Sequence, residues 1–392
     1  MKDRKMSLKS AHNLDKRRTM RYNEAKNFTE ANMKKRELLV FAGQSNMMGA
    51  AVYPPKNAIV CRDSFEYKHK MRRLSRAGEF LPAAHPAGEF AYADISAAYA
   101  SDMTTPDGKS LLKDYARNTY FCPAMCNLAS DADKTTRTFA EFSEAEFQGG
   151  VSIAPILAAE WEARGGSSAY VHIAKGGVSI LHYFTDEMLE EYRVRMQAYN
   201  AAHSTSFTEV FGKRAQRGAG EYFAQKVADF FAEAPARFPD EDLSERILVW
   251  IQGESDADMA TEEYLLLLEI LWEHAKALGM TRFFMLRVDF WDTPAIRAVM
   301  RAQEAFCEQR ADCYMMTRFL SYIIYPKGYP RELYVRLPEE YRNCRDTAYG
   351  FNNPHVNERG FSIAAARVAD NMVRVLREDR EPLLEDELVV GV

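Results

Sequence analysis

Long apolar runs are missing from this sequence. No stretch approaches the roughly 20 residues a helix needs to cross a bilayer, so no membrane span is expected. The N-terminus carries no apolar core of the kind found in a secretory leader. Those two absences together give the expectation of a cytoplasmic protein. An excess of one charge is missing too. Lys and Arg number 51 against 56 Asp and Glu, for a formal net charge of -5. That balance offers no footprint for nucleic acid or an anionic membrane surface. Cysteine is sparse, with 6 in 392 residues and none in a Cys-x-x-Cys pair. Cys122 and Cys126 lie four apart, but no second ligand pair of zinc spacing accompanies them. The expectation is reduced, structural thiols and no metal centre. No internal repeat is visible.

What is present is apolar bulk. Hydrophobic residues make up 47% of the chain, enough for one large elaborated α/β domain or for two domains. Residues 1–35 differ from the rest. They are polar and basic, with clusters at Lys16-Arg17-Arg18 and Lys34-Lys35-Arg36, and lack a sustained apolar face. A flexible basic tail is expected there, with the domain running from 36 to 392. Met20 and Met33 are alternative starts within that tail.

The domain is organised around Glu37 to Gly49. Leu38 to Phe41 is an apolar run of buried-strand length, followed at once by Ala42-Gly43-Gln44-Ser45-Asn46. This reads as strand, tight turn and helix start. Ser45 would sit at the carboxyl end of a sheet strand, where open α/β sheets place ligands. Its amide would open a helix N-terminus, which favours negative charge. Two readings fit: a nucleophile whose amide also serves an oxyanion, or a plain helix N-cap.

Further strands are expected at Ala169–Ala174, Arg246–Ile251, Phe283–Val288 and 313–317. Helices are expected over 152–164, 187–199, 221–233, 261–278, 293–308 and 357–377, with Pro235 and Pro239 ending the third. This alternation implies a parallel sheet covered on both faces. Two stretches, about 52–146 and 318–350, do not fit it and read as insertions. The first is expected to fold over the sheet and shape a cleft. His69 and His85 fall in that stretch and read as surface or packing histidines.

Polar clusters follow three of the strands: Gly43-Gln-Ser-Asn46, Lys175-Gly-Gly177 and Gln252-Gly-Glu-Ser-Asp256. In a parallel sheet all three fall on one edge. His355, just before the last helix, can reach the same edge. A serine, a histidine, amide donors and carboxylates then converge, which is the equipment for acyl transfer through a serine ester.

With these motifs in this order, the chain resembles the SGNH hydrolases, in particular the branch of sialate O-acetylesterases (carbohydrate esterase family 6). The matching residues are Gly43-Gln-Ser-Asn-Met47, Gly176-Gly177, Trp250-Ile-Gln-Gly-Glu-Ser-Asp256, and His355 with Gly360. The resemblance implies a three-layer α/β/α, flavodoxin-like fold with a parallel central sheet. It also implies Ser45 as nucleophile and His355 as general base. The oxyanion would be held by the amide of Ser45, an amide at Gly176 or Gly177, and the side chain of Gln252. No cofactor is implied. Each role has a plainer counterpart: Gln252 can tie down a turn, and His355 can pack on a helix.

One position departs from the family pattern. Where the family has Asp three residues before the histidine, this chain has Asn352. An amide oxygen can fix the imidazole tautomer but supplies no charge. Glu254, Asp256 and Asp346 are alternative carboxylates, and Glu254 can equally bond the loop around Ser45. The resemblance thus implies a serine esterase acting on O-acetyl groups of a carbohydrate through an acyl-serine. Two rivals keep the same residues: an O-acyltransferase of surface polysaccharide, and a non-catalytic carbohydrate-binding descendant. Tyr183 and Tyr120 are candidate sugar-stacking aromatics. The sugar, the acyl position and the oligomeric state are not encoded in any motif.

Overall fold

The computed structural model describes residues 33–48, 59–68, 79–85, 152–207, 219–288, 296–323, 339–345 and 355–385. Strands in chain order are β1 (Lys34–Lys35), β2 (Glu37–Gly43), β3 (Ile59–Lys68), β4 (Glu79–His85), β5 (Ser168–Ala174), β6 (Glu241–Asp242), β7 (Arg246–Ile251), β8 (Arg282–Leu286) and β9 (Cys313–Thr317). Seven of them form one sheet in the order β4-β3-β5-β2-β7-β8-β9. All neighbours are parallel except β3 and β4, which pair antiparallel.

The run β5-β2-β7-β8-β9 has the flavodoxin-like order 2-1-3-4-5, counting only those strands. From β2 the chain crosses to β5 on one side and later returns to β7 on the other. The switch point therefore lies at the carboxyl end of β2, directly before Ser45. β3 and β4 come from the first insertion. Those parts of it extend the sheet beside β5 rather than folding over its top, and the other residues of that insertion lie outside the described set.

β2 is buried along its whole length, as its unbroken apolar sequence requires. Its side chains alternate between two cores. Leu38, Val40 and Ala42 face one, with residues of the helices Asp186–His203, Ala219–Arg237, Thr261–Ala277 and Ile296–Glu308. Leu39 and Phe41 face the other, with the helices Ile153–Ala163 and Glu358–Leu376. The result is three layers.

Element ends follow local chemistry. Ser152 caps Ile153–Ala163 by accepting from the Ala154 amide, and Asn357 caps Glu358–Leu376 by accepting from Gly360. Gly279, at φ +96°, closes the helix Thr261–Ala277. Pro235 does not end its helix, contrary to expectation: the helix runs to Arg237. The Phe238 amide bonds the Ala234 carbonyl at 2.9 Å, and both residues are buried. The packed turn outweighs the one bond that proline lacks.

Lys34 and Lys35, placed in the tail by the sequence reading, form β1 and pair in parallel with β6. Arg36 follows and is buried, with Nε 2.6 Å from Glu241 and Nη2 2.8 Å from Asp63. Its guanidinium lies 4.2 Å from the Phe238 ring centroid and 5.1 Å from that of Phe65. Among the described residues, no helix is long and apolar enough to cross a membrane.

Candidate active site

Gly43 ends β2 in a conformation closed to other residues. Its φ is +150°, and a Cβ there would lie 1.9 Å from the Ile251 carbonyl oxygen. The two backbones are drawn together, and the Gln44 amide bonds the same Ile251 carbonyl at 3.0 Å. Across β2, the Lys175 amide donates to the Gly43 carbonyl at 3.1 Å. The Gly43 amide donates to the Tyr183 hydroxyl at 3.0 Å, and that hydroxyl turns back to the Gly43 carbonyl. Burial pushes the Tyr183 phenol well above its usual range, so it remains a neutral donor. Tyr183 is thus a buried clamp and cannot stack on a sugar.

Ser45 is the first residue of a short helical turn, Ser45–Met48, and is half-buried between two buried neighbours, Gln44 and Asn46. The Gly176 backbone lies beside it: a Cβ built there would be 3.8 Å from Ser45 Cβ and 3.3 Å from Met48 Cε. Gly177 adopts φ +67°, and the space where its Cβ would point is open to at least 4 Å. The Lys175-Gly-Gly177 turn therefore borders Ser45 with room in front of it.

Gln252, at the end of β7, is fully buried. Its Nε2 donates to Asp256 Oδ2 at 2.6 Å and to the Val178 carbonyl at 3.1 Å. Its Oε1 lies 2.7 Å from the Tyr264 hydroxyl, and its backbone carbonyl accepts from Gln303 Nε2 at 2.8 Å. Both amide hydrogens are thereby engaged. These bonds tie the turn after β7 to the Val178 carbonyl beyond β5, because buried donors pair wherever partners are in reach. Asp256 is fully buried as well and also accepts from the Ile180 amide at 2.7 Å. Burial, with the Asp256 charge adding to it, pushes the Tyr264 phenol far up, so it too stays a neutral donor. Gly253, at φ +149°, lets this turn pass under Val299, whose Cγ1 would lie 2.7 Å from a Cβ.

Glu254 is buried, and its Oε1 accepts from Asn46 Nδ2 at 3.0 Å. Asn46 Oδ1 in turn accepts from the Val356 amide at 3.1 Å. His355, half-buried, immediately precedes that amide. The structure thus brings the Ser45 turn, the Gly176 turn, the Glu254 turn and the chain at His355 to one edge of the sheet. Asn352 and Asp346 lie outside the described residues, as do His69, Tyr120, Cys122 and Cys126. The described Cys61, Cys307 and Cys313 are free thiols, and the Cys344 thiol donates to the Arg342 carbonyl at 3.3 Å. Burial pushes Cys61 up to about 12. Among the described residues, no group of three or more His, Cys, Asp or Glu is placed to hold a metal ion.

Sequence reasoning assigned no role to Asn46, Tyr264 or Gln303, and gave Tyr183 a different one. Asn46 had a signal, since it directly follows the serine. The others are separated from most of their partners by a dozen residues or more and carry none.

No family model matches the chain, and no curated protein sequence matches it. Among solved structures it is similar to the crystal structure of NanS, at 14% identity and TM-score 0.44, covering 88% of this chain and 99% of that one. A protein from Arabidopsis thaliana is similar at 12% identity and TM-score 0.39, over 86% of this chain and 97% of that one. A carbohydrate acetylesterase from Xanthomonas citri is similar at 13% identity and TM-score 0.36, over 87% of this chain and 56% of that one.

Proposed function

We propose that this protein is a serine esterase of the SGNH type that hydrolyses O-acetyl esters on a carbohydrate through an acyl-serine intermediate. The observation that carries the proposal is the placement of Ser45. It is half-buried on a turn at the switch point of the sheet, with the Gly176 backbone beside it and the chain at His355 tied to its neighbour Asn46. In this reading the His355 imidazole takes the Ser45 hydroxyl proton as the oxygen attacks the acetyl carbonyl. The carbonyl oxygen becomes an oxyanion, held by the amide of Ser45 and an amide of the Gly176-Gly177 turn. Collapse expels the sugar alcohol, protonated by His355, and leaves acetyl-Ser45. Water, deprotonated by His355, then releases acetate. Asn352, three residues before the histidine, is the proposed partner of the imidazole.

The test uses an activated acetyl ester and the full chain. Native protein should release acetate and, when quenched early, carry one acetyl group on the peptide containing Ser45. Ser45→Ala should fold normally and lose both properties. Full turnover by a folded Ser45→Ala protein would refute the proposal.

A further inference from the structure

Asn46 carries a polar side chain that crosses between segments of the site and that the proposed chemistry does not use. It is buried, follows Ser45 directly, and touches two separate segments. Its Nδ2 donates to Glu254 Oε1 at 3.0 Å, and its Oδ1 accepts from the Val356 amide at 3.1 Å. The two partners are opposite in kind. A backbone amide only donates, and an ionised carboxylate only accepts. One orientation of the Asn46 amide satisfies both, and the flipped one satisfies neither. Glu254 therefore fixes the amide, and the amide fixes the chain at Val356.

We infer that Asn46 is a positioning residue that holds His355 in register with Ser45. The inference rests on the esterase reading for its kinetic consequence only. Ser45 is on the turn after β2, whereas His355 is on a chain that returns more than three hundred residues later. A short bond between their immediate neighbours removes most of the freedom one segment has to slide past the other. Val356 is also held from its far side. Arg345 and Val356 form an antiparallel bridge, and the Asn357 amide bonds the Cys344 carbonyl at 3.0 Å. Those bonds tie His355 to its own loop; the Asn46 bond ties that loop to the nucleophile.

The test compares Asn46→Ala with a rebuilt brace, Asn46→Asp combined with Glu254→Gln. In the double variant the new amide at position 254 donates to the new carboxylate at position 46, and that carboxylate still accepts from the Val356 amide. Asn46→Ala should lower kcat about 100-fold, the scale on which an ångström of misplacement acts, with KM little changed. The double variant should return to within about 10-fold of native, as expected when two coupled residues are restored together. A merely structural asparagine would lower melting temperature in Asn46→Ala but leave the kcat of the folded fraction unchanged, and that result would overturn the inference. Collapse of the double variant to the level of Asn46→Ala would overturn it as well. A second readout needs no catalysis: the His355 imidazole NMR resonance, assigned through His355→Gln. It should broaden or split in Asn46→Ala and sharpen again in the double variant. An unchanged resonance in Asn46→Ala would overturn the inference even if the esterase reading stands. A changed and rescued resonance without esterase activity would uphold it while that reading falls.

Discussion

The Tyr183 hydroxyl is hydrogen-bonded to the backbone of Gly43, accepting from its amide at 3.0 Å and turning back to its carbonyl. It also lies 3.2 Å from the Ile173 carbonyl, so one phenol spans the ends of β2 and β5. The turn that presents Ser45 begins from that clamp. Tyr183→Phe leaves the buried Gly43 amide without this partner, a loss of about 1–3 kcal/mol of stability. Urea unfolding measures it, and turnover should fall in step as the Ser45 turn loosens. A variant as stable as native would show that the Gly43 amide finds another acceptor.

Gly43 itself should tolerate no side chain. A Cβ there would lie 1.9 Å from a backbone oxygen, at φ +150°. Backbone atoms of a central strand cannot give way as a flexible side chain can. Gly43→Ala should cost about 3 kcal/mol or more, from overpacking and backbone strain together. Thermal unfolding would reveal it, and a shift of less than a degree or two would contradict the close approach of β2 and β7.

Asn352 stands where the resembled family has Asp. In the proposed mechanism, a carboxylate there would stabilise the imidazolium formed during attack, which an amide cannot do. Asn352→Asp should raise kcat about 10-fold, roughly 1.4 kcal/mol of barrier. A pH–rate profile of both proteins checks it. An unchanged rate would mean that residue 352 does not serve His355.

Glu385 fastens the segment after the last helix to the end of β9. Burial works against its charge. The Thr317 hydroxyl at 2.6 Å, Arg367 at 2.6 Å and the Arg318 amide at 2.7 Å outweigh that and hold the carboxyl below its usual range. A carboxyl lowered in the folded state stabilises above its unfolded pKa of about 4.3, and this stabilisation is lost as pH falls through the folded value. Glu385→Gln should therefore be less stable than native at pH 7, by about 1–3 kcal/mol for charge-assisted bonds. The gap should close as pH drops below about 4. Denaturant midpoints at pH 7 and at about pH 3, below the ordinary carboxylate range, decide it; a gap of equal size at both would mean the charge contributes nothing.

Much of the molecule follows from the sequence alone. The apolar runs that became β2, β5, β7, β8 and β9 are bounded by polar or glycine residues, so burial period and turn chemistry agree locally. The shared edge of Ser45, Gly176, Gln252, Glu254 and His355 was legible because they sit at strand or helix ends, and a parallel sheet sends such ends to one edge. Tertiary structure decided the rest. Whether the first insertion covers the sheet or joins it depended on an edge beside β5 that no local pattern in 59–85 reports. Pro235 stayed inside its helix because Ala234 and Phe238 are packed, which intrinsic propensity does not register. The hydrogen-bond partners of Gln252 and Asn46 are a clear case. Both are amides beside the same site, and an amide's role is set by which donors and acceptors face it. Asp256 is local to Gln252, but Val178 for Gln252, and Glu254 and Val356 for Asn46, come from segments that only folding brings within 3.1 Å.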